Sequence, residues 1–313
     1  MYTVTTASQR PDESSPTLDF VWLELTNRCN LQCVHCYTES GPTTGEKDIL
    51  NEDDYLDLIK QIYDLGCHKL QFIGGEPTLN RSLPKLIETA FYKQFEFIEV
   101  FTNLTRLSEE LLSVFCRFRV SVATSFYSFK SSTHDGITGQ QGSFERTTRN
   151  MRRILEVGLP LRVGVIVMEQ NKEEISETWD FLRKMGIEHI GSDHVRQFGR
   201  AGSVDSCDMQ ELCGSCAGNF LSIGPDGVVA PCNMSKHWAV GSVFDRRLEE
   251  IVSSPQLSRV RKEIRDKVGV KEARQIEAIC DPKTCQPYES CCPSTQSCFP
   301  CAPNGCTPCF PKG

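Results

Sequence analysis

Between Phe20 and Ile190, short β-prone runs alternate with longer amphipathic stretches, and that alternation leaves few folds open. Strand-like runs lie at 20–25, 68–73, 97–101, 120–124, 162–167 and 188–190. The stretches between them, around 52–65, 83–93, 108–116, 144–157 and 172–185, carry apolar residues at helical 3–4 spacing. A repeated strand–helix order calls for an α/β architecture, a parallel sheet with helices outside it. In such folds chemistry gathers at the carboxyl ends of the strands, so the residues just past each run come first.

Past the first run stand Cys29, Cys33 and Cys36, within Asn27–Tyr37 and spaced Cys-x3-Cys-x2-Cys. Three thiolates hold three corners of a four-iron cubane and leave the fourth iron open, whereas electron-transfer ferredoxins supply four ligands. An open iron is a place for a ligand, as the open position is in catalytic zinc sites. The spacing thus points to an enzyme, with a zinc site as the plainer alternative. Past the second run comes Gly74-Gly75-Glu76-Pro77. Glycine lets the backbone approach a ligand closely, and Glu76 offers a carboxylate to a cationic group.

The triplet and Gly74–Pro77 together resemble the radical S-adenosylmethionine (SAM) superfamily, whose signature is Cys-x3-Cys-x-aromatic-Cys. His35 stands at the aromatic position. The resemblance implies a partial (β/α)6, TIM-like barrel and a [4Fe–4S] cluster on Cys29, Cys33 and Cys36 that binds SAM through its open iron. It also implies that His35, Gly74, Gly75, Glu76 and Pro77 are cofactor-binding, the Gly-Gly-Glu-Pro motif meeting the SAM amino group. Thr102 and Asn103 after the third strand, and Ser125 at the end of the fourth, would lie beside the methionine and ribose parts of SAM. Ordinary turn and capping roles are the alternative for those residues. The family's pattern at the fifth strand is not recognisable in Val163–Val167. Arg196 and Arg200, past the sixth strand, read as solvated surface residues, with carboxylate pairing as the second choice.

After about residue 200 the pattern changes. Cys207, Cys213, Cys216 and Cys232 crowd together, and Gly224-Pro225-Asp226-Gly227 between two apolar runs signals a hairpin. Cys213 and Cys216, then Gly227 with Cys232 after it, resemble the opening of the SPASM and twitch appendages of radical SAM enzymes. That implies a probable auxiliary [4Fe–4S] cluster on Cys213, Cys216 and Cys232, with a structural zinc as runner-up. One or two helices are expected from Arg246 to about Asp266. Eight further cysteines follow from Cys280 to Cys309, most of them in Cys-x-Pro steps that forbid helix and central strand. Its run from Cys298 departs from the full SPASM pattern, so the tail's role stays open. The expected organisation is a disordered lead-in over 1–18, a core barrel over 19–200, an appendage over 201–270 and a Cys/Pro-rich tail over 271–313.

A net charge of −7 without a basic stripe argues against nucleic acid or an anionic membrane as partner. Seventeen cysteines without a signal pattern suggest metal ligands in a reducing cytoplasm rather than disulfides. Cys67 and Cys116 read as buried structural thiols. By resemblance the chain is an oxidoreductase-type radical enzyme fed by a reductant such as flavodoxin or ferredoxin. Its expected substrate is a ribosomally made peptide, to be crosslinked, oxidised or epimerised. Few residues precede the first strand, so a leader-binding domain would be absent or supplied by a separate protein. The alternatives are a dehydrogenase or epimerase of an aminocyclitol or sugar, and a non-catalytic iron–sulfur redox protein.

Overall fold

A computed structural model describes residues 18–44, 48–202 and 208–269. Cys207, residues 1–17 of the expected lead-in and the tail over 271–313 lie outside them. Leu18, placed in the lead-in, is buried.

Six strands, β1 (Phe20–Glu24), β2 (Lys69–Ile73), β3 (Phe97–Phe101), β4 (Ser121–Phe126), β5 (Leu161–Val167) and β6 (His189–His194), pair in parallel in chain order. The sheet does not close. It continues past β1 through β7 (Phe220–Ile223), β8 (Val228–Ala230) and β9 (Gly241–Ser242). The outward face, with Val21, Leu23, Leu70, Phe72, Val100 and Val122, is buried under the helices. Each such side chain contributes about 1.5–3 kcal/mol when fully buried. The inward face carries Trp22, Gln71, Phe101, Ser125 and Gly164, which line a cavity. Period-2 alternation separates the two sets.

The helices α1 (Glu52–Asp64), α2 (Leu83–Tyr92), α3 (Glu109–Arg117), α5 (Ser143–Glu156) and α6 (Ile175–Lys184) lie where the periodicity places them. Local signals start several of them. Asn51 caps α1 in a reciprocal box with Asp54, and Ser108 accepts from the Leu111 amide to cap α3. The helix α4 (Ser131–Thr138) is unannounced by periodicity, because Gly136 interrupts a short polar segment. Its end is marked by Gly139 at φ 67°. The two expected C-terminal helices are α7 (Leu248–Val252) and α8 (Pro255–Val268).

The expected hairpin forms, with β7 and β8 antiparallel, and β7 also pairs in parallel with β1, so the appendage extends the barrel sheet. Two expectations need correction. The strand β4 runs through Phe126, which places Ser125 inside it rather than at its end. Cys116 is exposed, because the inward stripe of α3 is Leu112 and Phe115; Cys67 is buried as expected. Among the described residues no helix is long and apolar enough to cross a membrane.

Candidate functional site

A cavity of about 240 Å³ opens at the carboxyl ends of the strands, and both cysteine triplets line it. Gln71, one of its lining residues, belongs to a buried polar cluster. Glu99, 1% exposed, receives Arg162 in a two-pronged pair at 2.6 and 2.5 Å, and the Gln71 amide donates to the same carboxylate. Such a pair supports shape more than stability, since desolvation offsets much of its attraction.

The loop after β1 brings Cys29, Cys33 and Cys36 to the wall, where Cys29 and Cys33 meet side chains from beyond the loop and Cys36 meets Thr38 within it. Cys29 Sγ accepts from the Leu31 amide (3.4 Å) and lies 3.7 Å from Asn103 Nδ2. Tyr127 hydrogen-bonds Cys33, and Thr38 Oγ1 is 3.2 Å from Cys36 Sγ. Burial pushes Cys29 up to about 12, with Glu76 adding to it. Burial, then Cys29 and Cys36, push Cys33 to about 12 as well. Thiols placed this way need a metal to hold them as thiolates, and the donors suit sulfurs that carry charge. Among the described residues no three His, Cys, Asp or Glu side chains are spaced for a single metal ion. A cubane takes one thiolate per iron and does not require them to converge on one point.

The Gly-Gly-Glu-Pro stretch sits against this loop. Gly75 N donates to Thr26 O (2.7 Å) and Glu76 N to Arg28 O (2.9 Å). A Cβ on Gly75 would come within 2.3 Å of Arg28 O, and Gly74 holds φ 137°. Both glycines line the cavity, yet the close approach that demands them is to the chain's own backbone. Glu76 is turned inward. Its Oε1 accepts from the Thr78 amide (3.1 Å) and from the Thr78 and Thr102 hydroxyls (2.7 Å each), and Oε2 accepts from the Asn103 amide (2.8 Å). Burial raises its carboxyl pKa against those bonds. Pro77 is buried and opens a 3₁₀ turn.

Asn103 and Ser125 line the cavity, as does His35. The His35 ring stands edge-on to Tyr127, centroids 5.0 Å apart, and burial, helped by the Arg200 charge, lowers its pKa to about 4. It is therefore a neutral ring at neutral pH. Arg196 and Arg200 are not solvated surface residues. Arg196 pairs with Asp193 at 2.8 Å, each side chain 11% exposed, and Arg200 donates into the cysteine loop. Both line the cavity, held there by Asp193 and the Glu211 carbonyl and by the carbonyls of the cysteine loop. Tyr127, His134, Asp193 and Thr38 also line the cavity and were not anticipated. Only Tyr127 had a sequence signal, its place at a strand end.

The second triplet stands on the sheet extension. Cys216 and Cys232 are buried, Cys213 half-buried. The thiols bond to one another: the Cys216 and Cys232 sulfurs are 2.6 Å apart. Hydrogen bonds to Cys213 and Cys232, with burial, hold the Cys216 thiol well above its ordinary value. As thiolates these three cysteines would supply the soft donor set that an iron–sulfur cluster or a zinc ion takes.

The radical SAM superfamily model matches residues 23–182, and SPASM, an iron–sulfur cluster-binding domain, matches residues 213–286. The chain belongs to the radical SAM superfamily, and its two domains take SAM and [4Fe–4S] clusters. It is 26% identical to the antilisterial bacteriocin subtilosin biosynthesis protein AlbA of Bacillus subtilis, over 74% of this chain and 59% of that protein. It is 27% identical to the PqqA peptide cyclase of Granulibacter bethesdensis, over 56% and 47%. The chain spans between 47% and 59% of the length of these curated relatives. The fold resembles that of Streptococcus suis SuiB bound to S-adenosylmethionine, with TM-score 0.65, 14% identity and coverage of 79% and 68%.

Proposed function

We propose that this chain is a SAM-cleaving radical enzyme that matures a ribosomally made peptide by crosslinking, oxidation or epimerisation. The observation that carries this reading is the single cavity lined by both cysteine triplets. The relatives support the peptide: one is named for bacteriocin biosynthesis, another as a peptide cyclase. In this reading Cys29, Cys33 and Cys36 hold the SAM cluster, and Cys213, Cys216 and Cys232 contribute to the auxiliary cluster. When bound, these cofactors supply one-electron cleavage of SAM, a 5′-deoxyadenosyl radical that abstracts a substrate hydrogen, and an electron acceptor for the product.

The chain's own residues then have separable tasks. Gly74 and Gly75 let the wall pack against the loop after β1 where the methionine end of SAM would lie, with Asn103 and Ser125 beside it. Glu76 acts one step back, fixing the Thr102–Asn103 turn through two of its four hydrogen bonds and Thr78 through the other two. The neutral His35 ring presents an apolar face beside Tyr127. Trp22, Phe101, Phe220, Leu212 and Met234 make the cavity largely apolar, which keeps water from a reactive intermediate. A substrate side chain entering there would be mostly hydrocarbon or aromatic.

The partners in this reading are the peptide and a flavodoxin- or ferredoxin-type reductant; the cytoplasm is the compartment such reductants imply. Mass spectrometry of a peptide encoded beside this gene, after incubation with enzyme, SAM and reductant, tests it. Loss of two hydrogens reports a crosslink or dehydrogenation, and solvent deuterium uptake without loss reports epimerisation. SAM cleavage with no change in any neighbouring peptide would move the reading to a small aminocyclitol- or sugar-type substrate.

A further inference from the structure

The segment after β6 folds back over the cysteine loop and touches it at three carbonyls. Arg200 Nε donates to Cys33 O and Nη2 to Ser40 O, both at 2.8 Å, and the Arg200 amide donates to Cys36 O at 3.0 Å. Gly199 makes the approach possible. It holds φ 53°, and a Cβ there would lie 2.3 Å from Cys36 O and 2.6 Å from Tyr37 O. Phe198, 2% exposed, anchors the segment from behind, 6.3 Å from the Trp238 ring. These contacts span more than 150 residues of chain and close on the backbone of two members of the triplet.

A guanidinium is suited to both parts of such a task. Its planar fork reaches two acceptors at once, and it stays charged at any working pH. A cluster gains negative charge on reduction, so a fixed positive charge beside its ligand loop favours the reduced state.

We propose that Arg200 is a positioning residue for the SAM-cleaving cluster, pinning the loop of Cys33 and Cys36 and raising the cluster's reduction potential through its fixed charge. This rests on the reading of Cys29, Cys33 and Cys36 as the cluster's ligands. The test is an EPR-monitored redox titration of the anaerobically reconstituted full chain, with and without SAM, for wild type, Arg200→Gln and Arg200→Lys.

Arg200→Gln, lacking both charge and fork, is expected to titrate at a lower midpoint and to need about tenfold more SAM for the SAM-induced signal. Arg200→Lys keeps the charge but not the fork, so its midpoint should stay near wild type while its SAM response weakens. A wild-type midpoint in Arg200→Gln overturns the electrostatic half, and a wild-type SAM response in Arg200→Lys overturns the pinning. If Arg200→Gln does not fold, Arg200→Lys decides alone: a lowered midpoint or an unweakened SAM response sinks the proposal. A wild-type protein with no SAM-responsive signal refutes the ligand reading itself, before any variant is compared.

Discussion

The two cysteine triplets face one cavity but are held in opposite ways. Cys29, Cys33 and Cys36 ride a loop, and Asn103, Tyr127 and Thr38 each address a different sulfur. Cys213, Cys216 and Cys232 flank the β7–β8 hairpin and bond to one another. At the first site, Asn103 after β3 and Tyr127 after β4 reach two of the three sulfurs. At the second the thiols bond to one another, and its domain match continues to residue 286, beyond the described residues. A triplet equipped with outside donors is suited to tuning, and a triplet of mutually bonded thiols to simple metal retention.

The sharpest way to break that contrast is to remove each triplet in turn. Replacing Cys29, Cys33 and Cys36 by Ala together should abolish SAM cleavage, measured as 5′-deoxyadenosine release, while an auxiliary iron–sulfur signal stays visible. Retained cleavage would refute the assignment. Replacing Cys213 and Cys216 by Ala should leave uncoupled cleavage mostly intact and stop peptide product. Unchanged product formation would make that metal merely structural.

A second comparison tests how tightly each loop is packed. Gly75→Ala forces a Cβ into the Arg28 carbonyl at 2.3 Å and should cost about 3 kcal/mol or more in urea unfolding. Gly218→Ala, beside the second triplet, meets Ser215 O at 3.1 Å and a Phe220 ring carbon at 3.3 Å, so about 1 kcal/mol is expected. Equal losses would mean that the two loops are equally constrained.

The smallest effect is a pH dependence confined to the first site's side of the cavity. His134 is 1% exposed among Phe126, Tyr127 and Phe144, its Nδ1 has no hydrogen-bond partner, and burial lowers its pKa to about 4. A depressed folded-state value means that the unfolded chain takes up the proton first. The stability is therefore present above pH 6.5 and drains as pH falls toward 4. Between pH 7 and 5 the loss from this group should be about 2 kcal/mol. His134→Phe should flatten that part of the stability–pH curve, and an unchanged slope would assign the acid sensitivity to other groups.

Much of the first site was legible because its signals are local. The Cys-x3-Cys-x2-Cys loop, Gly74–Pro77 and the strand ends follow one another at short range, and Gly224–Gly227 announces its hairpin in four residues. Glu76 was placed in the right motif, but it faces Thr78, Thr102 and Asn103 rather than the cavity, since four donors compete for its two oxygens. Arg200 was passed over as surface because nothing beside it in the chain shows that Cys33 and Ser40 wait for it. Cys116 was misplaced by one turn position on α3, where the inward stripe takes Phe115 instead.

The chain's own order of residues determined the β/α alternation, the two thiol sets and the hairpin, since periodicity, ligand spacing and turn chemistry act over a few residues. Only the tertiary structure decided that β7 pairs with β1, that both triplets open on one cavity, and that the segment after β6 clamps the first loop. Those outcomes depend on backbone groups and side chains meeting across more than a hundred residues, where burial and hydrogen-bond satisfaction choose the partner and local pattern carries no record of it.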